Sequence, residues 1–442
     1  NLNVSGNLFN HTDNIDLINS GTFSGTGTLY NLSFLASTGT ASTISIGAIE
    51  NHSSMLWAEF ISSGPATFSV SGAVNNYGTQ WLITPTPSSN TVNYTGGFQN
   101  LGYFQVNTGA NLLINGVFNN NFNAELFLAS GNTNFSTGST FDGLVDADLG
   151  AQLGLTSGTH TFVDGLSFLG DLLVSSSTLN IEGGLSVGAL NLVSAVINID
   201  TLGAGSAGNT LNATSILFAG GGTNTLTGNI SGSITGLLDI TSTDTVDMTG
   251  AGIVQWVGLT VNNAGTITSN LSTNSLRLNS LAVLNNNAGG IYDFATDVGI
   301  TSTLTGGTVN NNGGTMIKSA GTNSLIQITT NQNGSNIDLL SGNLSFNGGG
   351  SFSGIVTIND AAGSLNLTGG TYTVADATVL QDPTTAPGNL NLANSTVNLE
   401  GGMALGALAL SGSTINIDTL GAGSTGNTLN ATSILFAGGG TN

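Results

Sequence analysis

The sequence predicts an all-β protein with the architecture of a parallel β-helix, a stack of coils also called a β-solenoid. Three observations support this prediction: a passage that occurs twice, an Asn–Gly signature at intervals close to one coil, and short spans of alternating apolar residues. We expect about 20 coils of roughly 20–25 residues, the range typical of stacked-coil repeats. They are expected to form one continuous body over residues 1–442.

The repeated passage is INIDTLGAGSTGNTLNATSILFAGGGTN, residues 415–442, which also occurs at residues 197–224 with Ala207 in the place of Thr425. Weaker similarity extends upstream, so that residues 155–224 resemble residues 367–442. The two copies are further apart in sequence at the passage itself than at the upstream match, so the second copy contains extra residues between the two. This insertion predicts a surface loop at 382–387. Each coil of a solenoid contacts mainly its neighbours, so we interpret the repeat as a duplicated piece of scaffold.

A finer repeat is marked by Asn, followed by Gly and an apolar residue. The marker asparagines are Asn19, Asn76, Asn100, Asn263, Asn287 and Asn312. The closest markers, such as Asn76 and Asn100, are separated by about the length of one coil. Asn and Gly accept the positive φ that corners require. The Asn amides of one corner are expected to form a hydrogen-bonded ladder along the stack.

Apolar residues alternate between the markers. The pairs are Phe104 and Val106, Leu112 and Ile114, Leu126 and Leu128, Ile197 and Ile199, and Leu365 and Leu367. A period of two predicts strands of about three to six residues with one face inward. Strong helix formers such as Glu, Lys and Arg are scarce, and no helical period is evident. We expect surface excursions from the coil near residues 55–68, 83–90 and 382–387.

Composition excludes several classes of protein. With 39% hydrophobic residues and only 6% charged ones, the chain can bury a core and does not have the composition of a disordered protein. No apolar run reaches the roughly 20 residues that span a bilayer, so membrane insertion is not expected. Two basic and 23 acidic residues give a net charge of −21, which disfavours nucleic acid as a partner. The absence of cysteine excludes disulfides and thiolate metal sites.

Two long strings resemble a known type of repeat. GNLSFNGGGSFSGIVTINDAAGSLNLTGGTYTV (342–374) and GGFQNLGYFQVNTGANLLINGVFNNN (96–121) resemble the repeats of large bacterial surface and secreted proteins, the filamentous-haemagglutinin-like and autotransporter-passenger-like adhesins. The likeness is one of repeat style and covers most of the chain. It implies a right-handed β-solenoid on the outside of a bacterium, and it indicates no ligand and no functional residue.

Acidic residues suggest one candidate metal site. Asp142, Asp146 and Asp148 lie close together in FDGLVDADLG, and such oxygen-rich spacing suits Ca²⁺. A solvated corner is the alternative interpretation, because the spacing departs from that of known calcium loops. Elsewhere Glu182 and Asp200 recur as Glu400 and Asp418, with the same separation in each copy. That separation is near one coil, so these carboxylates are expected to stack or to point outward at different corners.

The remaining side chains with chemical potential are few. Arg277 and Lys318 are separated by about two coil lengths, so they either share a face or are two isolated, solvent-facing cations. His160 stands where the second copy has Tyr372, which indicates an aromatic slot rather than a ligand. The other histidines, His11 and His52, are scattered, and we interpret the tryptophans as core or rim residues: Trp57, Trp81 and Trp256.

The expected function is structural. We expect an extracellular, non-enzymatic scaffold, either a cell-surface adhesin or stalk or the subunit of a self-assembling filament, with no catalytic residue and no cofactor. Its partners would be further copies of the chain, joined end to end, or a host, cell-surface or glycan ligand. A polysaccharide-processing β-helix enzyme is the alternative, since such enzymes combine acids with Arg or Lys on one face. An ice-binding solenoid is the second alternative, indicated by Thr alternation at residues 241–250 and 301–308.

The ends of the sequence carry one further expectation. The chain starts at Asn1 without Met, and it stops within the repeated passage at Asn442 without a polar cap. We read it as a mature product or as a window of a longer chain. Either the chain continues or another subunit docks there, because solenoid ends expose unpaired strand edges.

Overall fold

The computed structural model divides into two compact units, residues Asn1–Thr214 (unit 1) and Ser215–Asn442 (unit 2), and each is described by itself. The prediction of one continuous body over 1–442 stays a prediction. The described residues are 2–10, 15–18, 22–32, 34–38, 43–59, 67–84, 90–148, 150–163, 166–167, 170–182, 184–199, 211–218, 223–228, 234–235, 237–250, 254–273, 275–359, 363–375, 379–381, 389–400, 403–417 and 429–437.

The strands of unit 1 form three stacks in which strands pair in parallel with the equivalent strands of the next coil. Face A consists of Leu8–Asn10, Thr28–Asn31, Ala48–Asn51, Ala73–Asn76, Phe98–Asn100, Phe118–Asn120, Ser139–Phe141, Thr159–Phe162, Thr178–Ile181 and Val196–Ile199. Face B consists of Ile15–Ile18, Phe34–Thr38, Ser54–Glu59, Thr79–Thr84, the first parts of Tyr103–Asn115 and Glu125–Phe135, Leu144–Ala147, Leu166–Ser167 and the first part of Leu185–Val193. Face C consists of Leu2–Val4, Thr22–Gly25, Thr43–Ser45, Thr67–Val70, Asn90–Tyr94, the second parts of Tyr103–Asn115 and Glu125–Phe135, Gln152–Leu155, Asp171–Ser175 and the second part of Leu185–Val193.

Unit 2 has the same plan. Face D consists of the last residues of Leu211–Phe218, Leu237–Ile240, Thr260–Asn263, Val283–Asn287, Thr308–Asn312, the first parts of Thr329–Leu339 and Gly350–Ile358, Thr371–Val374, Thr396–Leu399 and Thr414–Ile417. Face E consists of Thr223–Gly228, Thr245–Gly250, Thr266–Leu271, Ile291–Phe294, Thr315–Lys318, the second parts of Thr329–Leu339 and Gly350–Ile358, and Val379–Gln381. Face F consists of Ile234–Thr235, Gln255–Val257, Leu276–Asn279, Ile300–Thr301, Asn323–Ile326, Asn343–Phe346, Ser364–Thr368, Asn389–Ala393 and the second parts of Met403–Ser411 and Leu429–Phe436. The first parts of these last two strands pair with each other.

The prediction of an all-β parallel solenoid is therefore confirmed, and the described residues contain no helix. The described turns number about 14, fewer than the expected 20 or so.

The expected surface excursions lie partly on strands. The strands Ser54–Glu59 and Thr67–Val70 occupy the two ends of 55–68, and Thr79–Thr84 and Asn90–Tyr94 occupy the two ends of 83–90. The segments between them, 60–66 and 85–89, lie outside the described residues, as does the whole of 382–387.

Inward-facing side chains fill the core of each coil. The alternation read from the sequence is confirmed, since Phe104, Val106, Leu112 and Ile114 are all fully buried. In unit 1 the inward phenylalanines of successive coils contact one another. The ring centroids of Phe118 lie 5.4, 5.9, 4.6 and 5.9 Å from those of Phe98, Phe104, Phe135 and Phe141. Each such ring contributes about 1.5–3 kcal/mol by its burial.

A ladder of buried amides runs along the end of face A. Its members, which are at most 5% exposed, are Asn10, Asn31, Asn51, Asn76, Asn100 and Asn120. Each Nδ2 donates to the Oδ1 of the next member, over 2.6–2.9 Å. From Asn31 onward, each Nδ2 also donates to a backbone carbonyl at the start of face B, so the ladder joins coil to coil and face to face. The predicted amide ladder is thus present.

Unit 2 has a similar ladder, and it corrects two of the sequence markers. Asn263, Asn286, Asn311 and Gln332 are buried, and each amide nitrogen donates to the next amide oxygen over 2.7 Å. The sequence had indicated the residues that follow, Asn287 and Asn312, which lie outside the core and are half-buried. Side chains of a strand alternate between its two faces, so a shift of one residue moves an amide from the core to the surface. Marker Asn19 lies outside the described residues.

Candidate functional site: the aromatic strip of unit 1

A row of exposed aromatic and apolar side chains follows the buried amide ladder of unit 1. The chain turns from face A to face B directly after each ladder Asn, and these turn positions point to the solvent. Tyr77, Leu101 and Phe122 lie there, with 47%, 40% and 71% of their surface exposed. The ring of His52, also exposed, stacks on that of Tyr77 with centroids 4.6 Å apart and an interplanar angle of 3°.

The outward positions of face B continue this surface. Parallel register aligns Trp81, Gln105, Phe127 and Asp146 in one column. A second column consists of Thr79, Tyr103, Glu125 and Leu144. The turns after face A and the outward side of face B together carry eight aromatic or apolar side chains that are exposed or half-buried. We call them the aromatic strip: His52, Tyr77, Trp81, Leu101, Tyr103, Phe122, Phe127 and Leu144.

Contacts within the strip hold its rings in place. The rings of Tyr103 and Phe127 stack with centroids 6.5 Å apart. The Tyr103 hydroxyl donates to Gln105 Oε1 over 3.3 Å. Beneath them Phe104, Val106 and Leu128 are fully buried, so the outward rings stand on packed strands. The strip is therefore held in place before any ligand binds.

Carboxylates make the strip electronegative. Burial raises the pKa of Tyr103, and the negative charges of Glu125, Asp146 and Asp148 raise it further. These three acids thus lie close enough to Tyr103 to repel its ionised form. Both basic residues of the chain belong to unit 2, so Lys and Arg are absent from residues 1–214.

Such a surface suits recognition. Exposed apolar patches with polar rims mark sites of interaction on soluble proteins. Trp and Tyr combine a large apolar face with a polar atom, and their ring faces attract cations. The strip therefore offers planar apolar contact together with an attraction for positive charge.

The structure does not bring the three candidate calcium ligands together. Asp146 is exposed on face B beside Phe127, and Asp148 is exposed two residues later. Asp142 is half-buried at the preceding corner, where its N–H donates to the Asn120 carbonyl. In the part of the chain that is described, no group of three or more His, Asp or Glu side chains could hold a metal ion. Asp146 and Asp148 instead contribute to the rim of the strip.

The two basic residues occupy different faces, and the solvent-facing interpretation is wrong for one of them. Arg277 is half-buried on face F, paired with Gln255 and Thr301. Lys318 lies on face E at a position that points inward, and it is fully buried. Lys318 extends to a corner, where Nζ donates to the carbonyls of Thr296 (2.8 Å) and Ala320. Burial lowers its pKa, and the Asp297 carboxylate, 3.5 Å away, opposes that effect.

The aromatic slot expected at His160 is present. His160 and Tyr372 are both fully buried. His160 Nε2 lies 2.7 Å from the Ser157 carbonyl, and the Tyr372 hydroxyl donates to the Phe346 carbonyl over 2.7 Å. Burial lowers the pKa of His160.

The other residues singled out from the sequence lie in the core, at the surface or outside the described residues. Trp256 is buried, and Trp81 lies on the outward rim, so the core-or-rim interpretation holds for both. Glu182 and Glu400 are half-buried. The remaining ones lie outside the described residues or have side chains that are not described: His11, Trp57, Asp200 and Asp418.

The aromatic strip was not among the features predicted from the sequence. A signal was available, because large side chains stand at every second position of QWLI, GYFQV and ELFL, on the side opposite the core residues. Their alignment depends on the register between coils, which period two alone does not supply.

Comparison with protein-family models, with curated proteins and with solved structures gives no match. No helix in the described ranges has the length and apolar character needed to cross a bilayer. Fold and site geometry therefore carry the functional argument.

Proposed function

We propose that this chain is an extracellular structural protein, a stiff β-solenoid that acts as a cell-surface adhesin or stalk. The aromatic strip is its contact surface. The exposure of several large rings, held in register on packed strands, is the observation that carries the proposal. In a scaffold without binding partners these side chains would be expected to be polar, because exposed apolar patches favour association.

The interior supports the scaffold part of the proposal. The amide ladders connect each coil to the next, and buried hydrogen-bonded amides penalise any change of register. The phenylalanine cluster adds apolar contacts between the same coils. Both features resist bending and slippage, which is what a spacer between a cell and a surface requires.

A bead assay tests the adhesin function. Beads coated with the purified protein should adhere to cell layers or to extracellular matrix. Trp81→Ala combined with Phe127→Ser should abolish most adhesion. Val117→Ser is the matched control, because Val117 is 51% exposed but lies outside the strip. Adhesion that survives the double substitution, or that is lost equally in the control, would contradict the proposal.

Self-association into filaments is the second form of the proposal, and face D supports it. Outward amides there form a column in which each Nδ2 donates to the preceding Oδ1 over 3.0 Å: Asn262, Asn285, Asn310 and Asn331. A carboxylate, that of Asp239, lies only at the start of the column, where it accepts from Asn262 Nδ2. Copies of a chain with a net charge of −21 would meet with least repulsion at such a surface. Asn310→Asp should reduce lateral association in electron micrographs and in sedimentation, whereas Asn119→Asp on face A of unit 1 should not.

The enzyme alternative requires a cation beside acids on one face. Arg277 and Lys318 lie on different faces, and Lys318 is engaged by backbone carbonyls inside the core. We therefore expect polysaccharides incubated with the protein to release no fragments. Fragments that disappear with Arg277→Ala would support the enzyme instead.

A further inference from the structure

The geometry of the aromatic strip points to the kind of partner it binds, and this inference rests on the proposed contact function. We propose that the strip binds a basic polypeptide segment in an extended conformation, with Lys or Arg side chains between apolar ones.

The dimensions of the strip suit an extended chain. Its members come from five successive coils, and coils are spaced by about 4.8 Å, so the strip is about 19 Å long. An extended segment of about six residues has the same length. A small cation such as a quaternary ammonium group would occupy one ring and leave the rest of the strip exposed.

The negative charges of the strip favour a positively charged partner. Glu125 lies beside Tyr103 on the neighbouring coil, and the negative charges of Asp146 and Asp148 also act on Tyr103. Unit 1 contains no Lys or Arg to neutralise them. An anionic segment would be repelled. A neutral glycan would donate hydroxyl hydrogen bonds to these carboxylates but would leave their negative charge uncompensated. Cations placed over Trp81, Tyr103 or Phe127 gain both the ring attraction and the carboxylate field.

The two columns of face B match alternating side chains. Aromatic and apolar positions, such as Trp81 and Phe127, are interleaved with polar or acidic ones, such as Gln105 and Asp146. In an extended segment, neighbouring side chains point to opposite sides. Its apolar residues can lie against the rings while its cations reach the rim carboxylates.

Calorimetric titration with synthetic peptides tests this inference. A hexapeptide of alternating Arg and Leu should bind, and its affinity should fall with added salt, because exposed charges are screened. A Glu–Leu hexapeptide should not bind. Trp81→Ala should weaken binding at least tenfold.

A matched pair of double variants separates a site from general charge attraction. Glu125→Gln with Asp146→Asn should weaken binding by about tenfold, the effect of roughly 1.4 kcal/mol. Glu50→Gln with Asp171→Asn removes the same charge from faces A and C and should change affinity less than twofold. Circular dichroism and melting temperature confirm that each variant is folded. Equal weakening by both pairs, or equal binding of the Glu–Leu peptide, would overturn the inference.

The two proposals fail separately. If coated beads adhere through the strip but the Arg–Leu peptide does not bind, the contact function stands and the basic partner is wrong. If the peptide binds the strip but beads do not adhere, the binding chemistry stands and the adhesin function is wrong.

Discussion

Removing one rung of the buried amide ladder tests the structural part of this account. Asn100 is fully buried; its Nδ2 donates to Asn120 Oδ1 (2.7 Å) and to the Glu125 carbonyl (2.8 Å), and its Oδ1 accepts from Asn76 Nδ2 (2.9 Å). Asn100→Ala removes all three bonds. Asn76 Nδ2 keeps the Tyr103 carbonyl as a partner, but Asn120 Oδ1 and the Glu125 carbonyl each lose a donor. At about 1–3 kcal/mol for each buried group left unsatisfied, the expected loss of stability is about 2–6 kcal/mol.

Urea denaturation followed by circular dichroism, with hydrogen exchange of the affected coils, measures this loss. Asn119→Ala is the control, because Asn119 is half-buried on an outward position of the next strand. Its expected effect is about 0.5 kcal/mol or less. If Asn100→Ala and Asn119→Ala are equally mild, the ladder does not stabilise the stack.

Asn100→Asp adds a pH test with nearly the same shape. A buried carboxylate cannot donate to Asn120 Oδ1 or to the Glu125 carbonyl, so the variant should be weakest near pH 7. Burial should raise the pKa of the new acid above its unfolded value. Its penalty is then present above the folded pKa and is relieved as pH falls through it, when the neutral acid can donate. An unchanged difference from wild type between pH 7 and pH 4 would refute the reasoning.

Three further changes test the core, the charged corner and a close backbone approach. Phe118→Ala should cost about 3–5 kcal/mol in denaturant unfolding, because Phe118 is fully buried among other rings, whereas Phe122→Ala, at a position 71% exposed, should cost little. Backbone N–H groups that donate to the Asp297 carboxylate hold its pKa below the ordinary value. The ionised carboxylate therefore stabilises the folded protein above pH about 4, and this contribution is lost as pH falls through the depressed folded pKa. Asp297→Asn should therefore flatten the acid limb of the stability profile; an unaltered limb would contradict this assignment. Gly350→Ala should lower the melting temperature, because Gly350 has a φ of 139° and an added Cβ would lie 1.8 Å from a carbonyl oxygen of the neighbouring coil. Gly306→Ala is the control and should leave the melting temperature unchanged, because an added Cβ there would meet open space.

The sequence predicted the fold and the interior well. The alternation of apolar residues with a period of two identified inward residues such as Phe104 and Leu112. A strand with one buried face requires an apolar side chain at every second position. The amide ladder was also predicted, although runs of three asparagines at 285–287 and 310–312 gave the wrong member. Composition cannot distinguish an inward from an outward amide in such a run.

Features that depend on contact between coils were not predictable in the same way. Lys318 is buried because the carbonyls of Thr296 and Ala320 meet its Nζ at one corner, and those residues come from different coils. The aromatic strip likewise arises where Trp81 and Phe127, which are distant in sequence, fall into one column. Only the register between coils brings such residues together.

Disulfide mapping of the register tests the central claim most directly, since the chain contains no cysteine. Gln99 and Asn119 are outward partners on neighbouring coils, whereas Gln99 and Thr140 are two coils apart. Coil spacing places their Cα atoms about 4.8 and about 9.6 Å apart, and a disulfide requires less than about 7 Å. Stacked coils predict rapid, complete oxidation of Gln99→Cys/Asn119→Cys and none within one molecule of Gln99→Cys/Thr140→Cys. Similar oxidation of both pairs, or failure of the first, would contradict the account.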